Sequence, residues 1–465
     1  MKQERIVYKK IPFTKDQFFQ AYVNRTAKEE QHILLESGRT GKYSIAGIKP
    51  FAVLKGSENK VEIDCRGERT VIEGNPLRVM EQWLGQYECS KIAGLPDFQG
   101  GAIGYISYDY GQCIENLPNI AQDDLKFPIL YFIVFQEWAV FDHEEECLWM
   151  MALNGEGVDT QLEAAEKEWS KFAYENPTSI VTTTNSDRQV SLTEEEFIDA
   201  VKKIQDYISA GDIFQVNLTV RQSEPLDIPP IEVYKELRRL NPSPYMGYMH
   251  TPDFQIVSGS PELLIRKDGK LVSTRPIGGT RPRGVNDEED MRLAEELLGN
   301  EKEQAEHIML VDIERNDLGK VCEYGSVNVD QLMTIEKYSH VMHIVSHVSG
   351  VLAEEKSNAD LIDAVFPGGT ITGAPKVRTL EIIEELEPVK RGAYTGSLGW
   401  IGFNKDLHLN VIIRTMLVKD GQCHVQAGAG IVIDSDPKAE YEESLKKALA
   451  LWKAKETAEN RGENK

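Results

Sequence analysis

CHVQAGAGIVIDSDPKAEYEESLKKALALWKAK (Cys423–Lys455) decides the class of fold. An apolar, strand-like run, CHVQAGAGIVI, hands over to a helix across about Lys438–Lys455. The same exchange repeats upstream. Strand runs FQVNLTV (Phe214–Val220), FQIVSGS (Phe254–Ser260) and HLNVIIRTMLV (His408–Val418) alternate with helices over about Asp287–Leu298, Glu301–Ile313 and Pro375–Leu386. The first third reads as strands: FAVLKG (Phe51–Gly56), KVEIDC (Lys60–Cys65), LYFIVFQEWAVFD (Leu130–Asp142) and CLWMMAL (Cys147–Leu153), several of them separated by glycine-rich turns. Strands mixed with helices throughout give an α/β (α+β) class. A segment of low hydrophobicity, about Glu175–Val190, reads as a linker. It leaves a sheet-forming N-terminal region at 1–175, a linker at 176–190 and a main region at 191–465. Thr193 and Glu196 form a capping-box pattern that opens a helix to Ser209, stopped by Gly211. The tail ETAENRGENK is expected to fray.

The 465 residues are enough for two to four domains or one large unit. Lys and Arg number 52 and Asp and Glu 75, so the formal charge is −23. Such acidity argues against nucleic acid or an anionic membrane as the main partner, and an anionic substrate would need local basic groups or a cation. The six cysteines are scattered with no CxxC, which points away from zinc or a disulfide framework and toward a reducing cytoplasm. The N-terminus MKQERIVYKK lacks the apolar stretch of a signal peptide, and no apolar run reaches the ~18 residues of a membrane span.

Glu303 and Glu306 stand three apart on one predicted helix, and Glu440 and Glu443 repeat that spacing on another, with Lys447 four beyond Glu443. Two solvated, salt-bridged faces would produce this pattern. Apolar neighbours (Ile308, Met309, Leu310; Leu445, Ala448, Leu449) instead set the carboxylates beside a buried stripe. Carboxylates near a core need a cation, and hard oxygen ligands suit Mg²⁺. FPGGTITGAPKVR (Phe366–Arg378) is either a tight turn into a helix or a backbone cradle for an anion; Ala-Pro-Lys after Gly373 rules out a Walker A loop. Glu262 in SGSPELL is a surface turn carboxylate or, if desolvated, a general acid. RPIGGTRPRG (Arg275–Gly284) is a basic turn or an anion contact. Arg414 interrupts an apolar strand, either paired at an edge or forked onto a carboxylate, and His343 reads as a hydrogen-bonded core histidine.

Taken in order, LLES with Tyr43-Ser44, FQGGAIGYISYDY, GDIFQVNL, NPSPYM, GSPELL, PIGGTRPRG, KEQAEHIMLVDIERNDLGKV, YSHVMHIVS, FPGGTITGAPK, YTGSLGWIG, IIRT and QAGAGIVIDSDPKAEYEES resemble the chorismate-utilising enzymes over nearly the whole chain. That family includes component I of anthranilate synthase and of para-aminobenzoate synthase, and the isochorismate and salicylate synthases. The resemblance implies two large antiparallel sheets packed as a sandwich, with helices outside and a cleft toward the C-terminal half. It implies Mg²⁺ on Glu306 and Glu443, with Glu303 and Glu440 behind them, gripping the ring carboxylate of chorismate. Glu262 would protonate the departing C4 hydroxyl. Arg414, Tyr394 and the Gly428 backbone would clamp the enolpyruvyl carboxylate, with His343, Thr280, Thr370 and Lys447 lining the site.

Gln215 stands where the water-using relatives resemble one another in carrying lysine; glutamine takes no proton at neutral pH, which implies ammonia as nucleophile. FQVNLT, FPGGTITGAPK and YTGSLGW are closer to the para-aminobenzoate branch, which puts the amine on C4 for folate synthesis. Gly278 departs from it, because some of those enzymes carry a nucleophilic lysine there. Glycine would leave room for water or a second ammonia, unless a positive φ is what demands it. Anthranilate formation is the alternative, and a non-catalytic binding protein of the same fold a further one. Leu35, Glu36, Ser37 and Tyr43, with Pro244, Tyr245 and Met246, resemble a tryptophan-binding element. No cysteine elbow with a partner histidine is present, so a separate glutamine amidotransferase subunit is the expected ammonia source.

Overall fold

The computed structural model describes residues 6–38, 41–155, 157–171, 188–338 and 341–463. Two antiparallel sheets of 12 strands each form the body. The first runs Ile6–Pro12, Cys147–Leu153, Glu137–Asp142, Tyr43–Ile48, His32–Glu36, Tyr245–His250, Gln255–Ser260, Thr415–Lys419, Gln422–Ile431, Gln215–Pro225 and Gln189–Val190, with Gly373–Ala374 beside Gln215–Pro225. The second runs Ile277–Pro282, Val341–Val351, Leu271–Arg275, Leu263–Asp268, Leu407–Val411, Ser397–Gly402, Gly101–Ile106, Leu130–Phe135, Pro50–Ser57, Lys60–Cys65 and Glu68–Glu73, with Asn328–Lys337 beside Val341–Val351.

The alternation of side chains along a strand explains the layering. Ile33 and Ile45 point into the core between the sheets with Ile103, Ile133 and Leu398. Their neighbours Leu34 and Ala46 face the other way, onto helices carrying Phe18, Trp169, Leu237 and Trp452. The first sheet is thus covered on both faces, and its strands read as continuous apolar runs.

Two of those runs conceal a change of sheet. LYFIVFQEWAVFD splits at Gln136, with Leu130–Phe135 in the second sheet and Glu137–Asp142 in the first. HLNVIIRTMLV splits likewise: Leu407–Val411 lies in the second sheet and Thr415–Lys419 in the first. Arg414 therefore sits not within a strand but at the crossover, with φ at 51°.

Among the described residues the first third also holds four α-helices that a strand-only reading leaves out: Lys15–Thr26, Pro76–Leu84, the single turn Gly111–Ile114 and Val158–Trp169. Within the expected linker, Gln189–Val190 forms a short strand against Gln222 and Ser223; residues 175–187 lie outside the described residues. The last helix is longer than expected, Pro437–Glu463, so the described part of the tail is helical. Its far end is held by Lys455, which pairs with both Glu224 and Glu459 in a buried cluster. Among the described residues no helix is long and apolar enough to cross a membrane.

Candidate active site

The crossover at Ile412–Arg414 is the frame of the site. Gly259 N–H donates to Arg414 O at 3.0 Å, Ser260 Oγ donates to Val411 O at 2.6 Å, and Val411 N–H donates to Glu262 O at 3.0 Å. The strand end that carries Glu262 is thereby stitched to the loop that carries Arg414. Glu262 is 7% exposed, and burial pushes its carboxyl up to about 7, opposed by a hydrogen bond from the Thr370 side chain. A carboxyl so placed holds a proton near neutrality, as a general acid must.

Arg414 is half-buried. Its Nη1 donates to Lys447 O at 3.1 Å, and its charge interacts with Tyr394 and Glu443. Burial pulls its affinity for a proton down, against the raising effect of Tyr394 and Glu443. Lys447 Nζ bonds Gly428 O at 3.0 Å and pairs with Glu443 at 2.8 Å. Gly428 must be glycine for lack of space: a Cβ there would lie 2.5 Å from Leu218 O and 2.6 Å from Asn217 Oδ1. Gln215 packs its amide against Gly430, where a Cβ would overlap Nε2.

His343, close enough to Arg414 to feel its charge, is hydrogen-bonded as expected but half-buried rather than in the core. Its Nδ1 is 3.1 Å from Gly279 O and 3.0 Å from Thr280 Oγ1. Against a carbonyl acceptor Nδ1 donates, so in the neutral ring Nε2 keeps the lone pair. Burial holds the ring below its ordinary pKa, with Arg414 adding to the effect.

The four glutamates stand on two helices, near enough for their charges to act on one another, but among the described residues no three of their carboxylates converge on one point. Partial burial pushes Glu306 up, and the charges of Glu303, Glu440 and Glu443 add to this while Lys302 opposes it. Glu440 is raised by burial and by Glu443, and lowered by the 2.8 Å bond it accepts from Ser435 Oγ. Mutual repulsion of carboxylates is relieved by a hard divalent cation, so the donor type suits Mg²⁺, although as placed no three of the four lie close enough to share an ion. Glu303 is already tied to Arg281 Nη1 at 2.6 Å, which leaves Glu306 the freer partner on its helix. The apolar stripe expected to carry these carboxylates is partly wrong: Ile308 is 48% and Leu449 55% exposed. Burial of those residues is therefore not what sets the carboxylates in place.

Gly278 also corrects its sequence reading. Its φ is outside the left-handed region, and the room expected beside it is filled. A Cβ at 278 would lie 2.7 Å from Nδ1 of His307. Sequence reasoning missed His307 and two further features. Glu314, 4% exposed, is pushed up to about 8 by burial, with Asp317 and Glu262 adding to the effect and Lys376 and the Thr274 hydroxyl opposing it. Glu303, Glu306, His307, Leu310 and Glu314 share one face of the helix Glu301–Gly319, so counting on by three and four from Glu306 would have reached it. The second feature is the buried pair Arg391–Glu387, joined at 2.7 and 2.9 Å, whose arginine also donates to Ile371 O and Asn217 O.

Leu35, Glu36, Ser37, Tyr43, Pro244, Tyr245 and Met246 do not join this site. All seven line a separate cavity of about 590 Å³ between the sheets. Glu36 forms part of its wall, but its carboxylate is held by Tyr234 Oη at 2.8 Å and Arg238 Nε at 2.7 Å.

Residues 30–453 match the family of chorismate binding enzymes. The chain belongs to that family. Its relatives include aminodeoxychorismate synthase component 1 of Bacillus subtilis, 53% identical over 99% of both chains. Anthranilate synthase component 1 of Thermus thermophilus is 44% identical over 94% of this chain and 95% of its own. The crystal structure of anthranilate synthase component I from Streptococcus pneumoniae superposes with a TM-score of 0.79 at 33% identity, covering 89% of this chain and 92% of that one. The two-sheet body described above is therefore a chorismate-binding fold, and Glu262, Arg414 and the glutamate pairs lie within the matched residues.

Proposed function

We propose that this chain is component I of an aminodeoxychorismate synthase, converting chorismate and ammonia into 4-amino-4-deoxychorismate, the precursor of para-aminobenzoate and folate. The observation that carries the reading is 53% identity, end to end, to a relative of that name, joined to a buried acid at Glu262. Glu262 gives its proton to the departing C4 hydroxyl, which leaves as water. Arg414 and Tyr394, with the Gly428 backbone, hold the enolpyruvyl carboxylate. His343 and Thr280 orient the ring. Glu306 and Glu443 would hold Mg²⁺, with Glu303 and Glu440 behind, and the ion would neutralise the ring carboxylate. Gln215 cannot act as a base toward water, which leaves ammonia as the nucleophile.

Ammonia comes from a separate glutamine amidotransferase subunit, because the chain has no cysteine set up as a nucleophile. All six cysteines are free thiols, and the thiols of Cys113, Cys322 and Cys423 are pushed up by burial, the reverse of activation. Free thiols suit a cytoplasmic enzyme. The cavity around Glu36 and Tyr43 would hold an amino acid such as tryptophan.

Anthranilate formation is the second reading, favoured by the Thermus relative and by the absence of a side chain at Gly278. The test is product analysis from chorismate, ammonium and magnesium, with and without an added aminodeoxychorismate lyase. A product that yields para-aminobenzoate only with the lyase supports the proposal; anthranilate without it overturns the branch. Glutamine in place of ammonium should give no turnover by the chain alone.

A further inference from the structure

The ring of His307 is fully buried on the inward face of the helix Glu301–Gly319. Its Nε2 is fixed by Ser346 Oγ at 2.7 Å. Ser346 is fixed in turn: its Oγ accepts from Met333 N–H at 3.0 Å and its own N–H donates to Pro276 O at 3.2 Å. The opposite nitrogen, Nδ1, is buried and has no hydrogen-bond partner among the described residues. It points at Gly278, where a Cβ would approach it to 2.7 Å and the ring's Cγ to 3.4 Å. Real side chains do not come so close. The ring cannot swing aside without breaking its bond to Ser346, and Gly278 has no conformational need to be glycine.

We infer that His307 is a specificity-determining residue of the chorismate site: its ring takes the volume that a side chain at 278 would need, and so keeps the enzyme's own nucleophiles away from the ring carbon beside that strand. This rests on the proposed function, in which position 278 faces C2 of chorismate. Gly278 is one residue from Gly279, whose carbonyl accepts from His343, and two from Thr280. With that place closed, every amination step uses a free small molecule and no enzyme adduct forms.

Lysine at 278 with space to extend would reverse this. Its Nζ would bond to C2, the ring π electrons would shift, and the C4–O bond would break. The hydroxyl would leave as water with the proton of Glu262, and Nζ would lose one proton to solvent. The adduct would weigh one chorismate less one water.

The experiment has two arms. The first needs no substrate. Gly278→Ala is melted in the parent chain and in His307→Ala. Overpacking should lower the melting temperature by roughly 1–3 °C in the parent, and this loss should disappear once the ring is gone. Equal losses in both backgrounds would overturn the inference. The second arm incubates Gly278→Lys, His307→Ala and the double variant with chorismate and magnesium but no ammonium, and weighs the quenched proteins. An adduct in the double variant, at least ~10-fold more abundant than in Gly278→Lys, is the expected result. Abundant adduct in Gly278→Lys alone would refute the steric role. Coupled melting with no adduct in a folded double variant would leave the His307–Gly278 pair standing. It would overturn instead the proposal that position 278 faces C2.

Discussion

Replacing Glu314 by glutamine should stabilise the protein above neutral pH and leave it unchanged in acid. Glu314 is 4% exposed, its Oε2 has no partner among the described residues, and Glu262, Asp317, Lys376 and Thr274 face it. Burial is the largest cause of its high pKa, followed by Asp317. The fold therefore binds the proton of Glu314 more tightly than the unfolded chain does. The sign follows from linkage: where the folded state holds more protons, stability falls as pH rises. The loss begins near the ordinary value of 4.5 and is complete above about 8. At 1.36 kcal/mol per pH unit, that interval amounts to about 5 kcal/mol. Glutamine mimics the protonated acid and keeps a group for the Thr274 hydroxyl. Urea unfolding of both proteins at pH 5, 6, 7 and 8 measures the difference. The two should lie within about 1 kcal/mol of each other at pH 5, and the variant should lead by several kcal/mol at pH 8. A difference that stays flat with pH would refute the placement of a protonated carboxyl in the core.

Three further outcomes are expected. Glu262→Gln should bind chorismate, followed by titration calorimetry, yet turn over about 10²–10⁴-fold more slowly; full activity would remove it as the acid. Glu443→Gln should lose magnesium-dependent turnover and magnesium binding with its melting curve preserved, and near-parent activity at ordinary magnesium would count against the ion site. Glu387→Gln leaves Arg391 charged and unpaired while 2% exposed, so unfolding free energy should fall by about 3–5 kcal/mol in urea titrations; a change below about 1 kcal/mol would mean the arginine finds another partner.

How much was legible in the sequence differs from element to element. The two glutamate helices were readable because three-residue spacing on a helix fixes a shared face without tertiary information. That the two faces feel each other's charge was not readable, since it depends on how Glu301–Gly319 and Pro437–Glu463 are placed in the fold. The two sheet changes were hidden for a physical reason. Strands covered on both faces are apolar throughout, so LYFIVFQEWAVFD and HLNVIIRTMLV show no break where the chain leaves one sheet for the other. Gln136 with Glu137, and Arg414 with Thr415, mark the breaks, but one or two polar residues in a strand have many explanations. The early helices did carry a signal: Thr14 with Gln17 is a complete capping box, and Asn75 caps a helix that starts with Pro76. His307 was passed over because a histidine's partner is a matter of packing. Glycine at 278 could be read only as missing volume; that the volume belongs to another residue is a property of the fold.

The weaving of the strands bears on how the chain must be made. His32–Glu36 pairs with Tyr245–His250, and Gly101–Ile106 pairs with Ser397–Gly402. A ribosome delivers the earlier member of each pair long before its neighbour exists. Until then both half-sheets carry an open, apolar edge, the kind of surface that recruits other nascent chains. Contacts spanning some 200 to 300 residues also close slowly, because loop entropy is lost before any pairing is gained. The protein should therefore depend on chaperone protection during synthesis, and its recovery from urea should fall as its concentration rises.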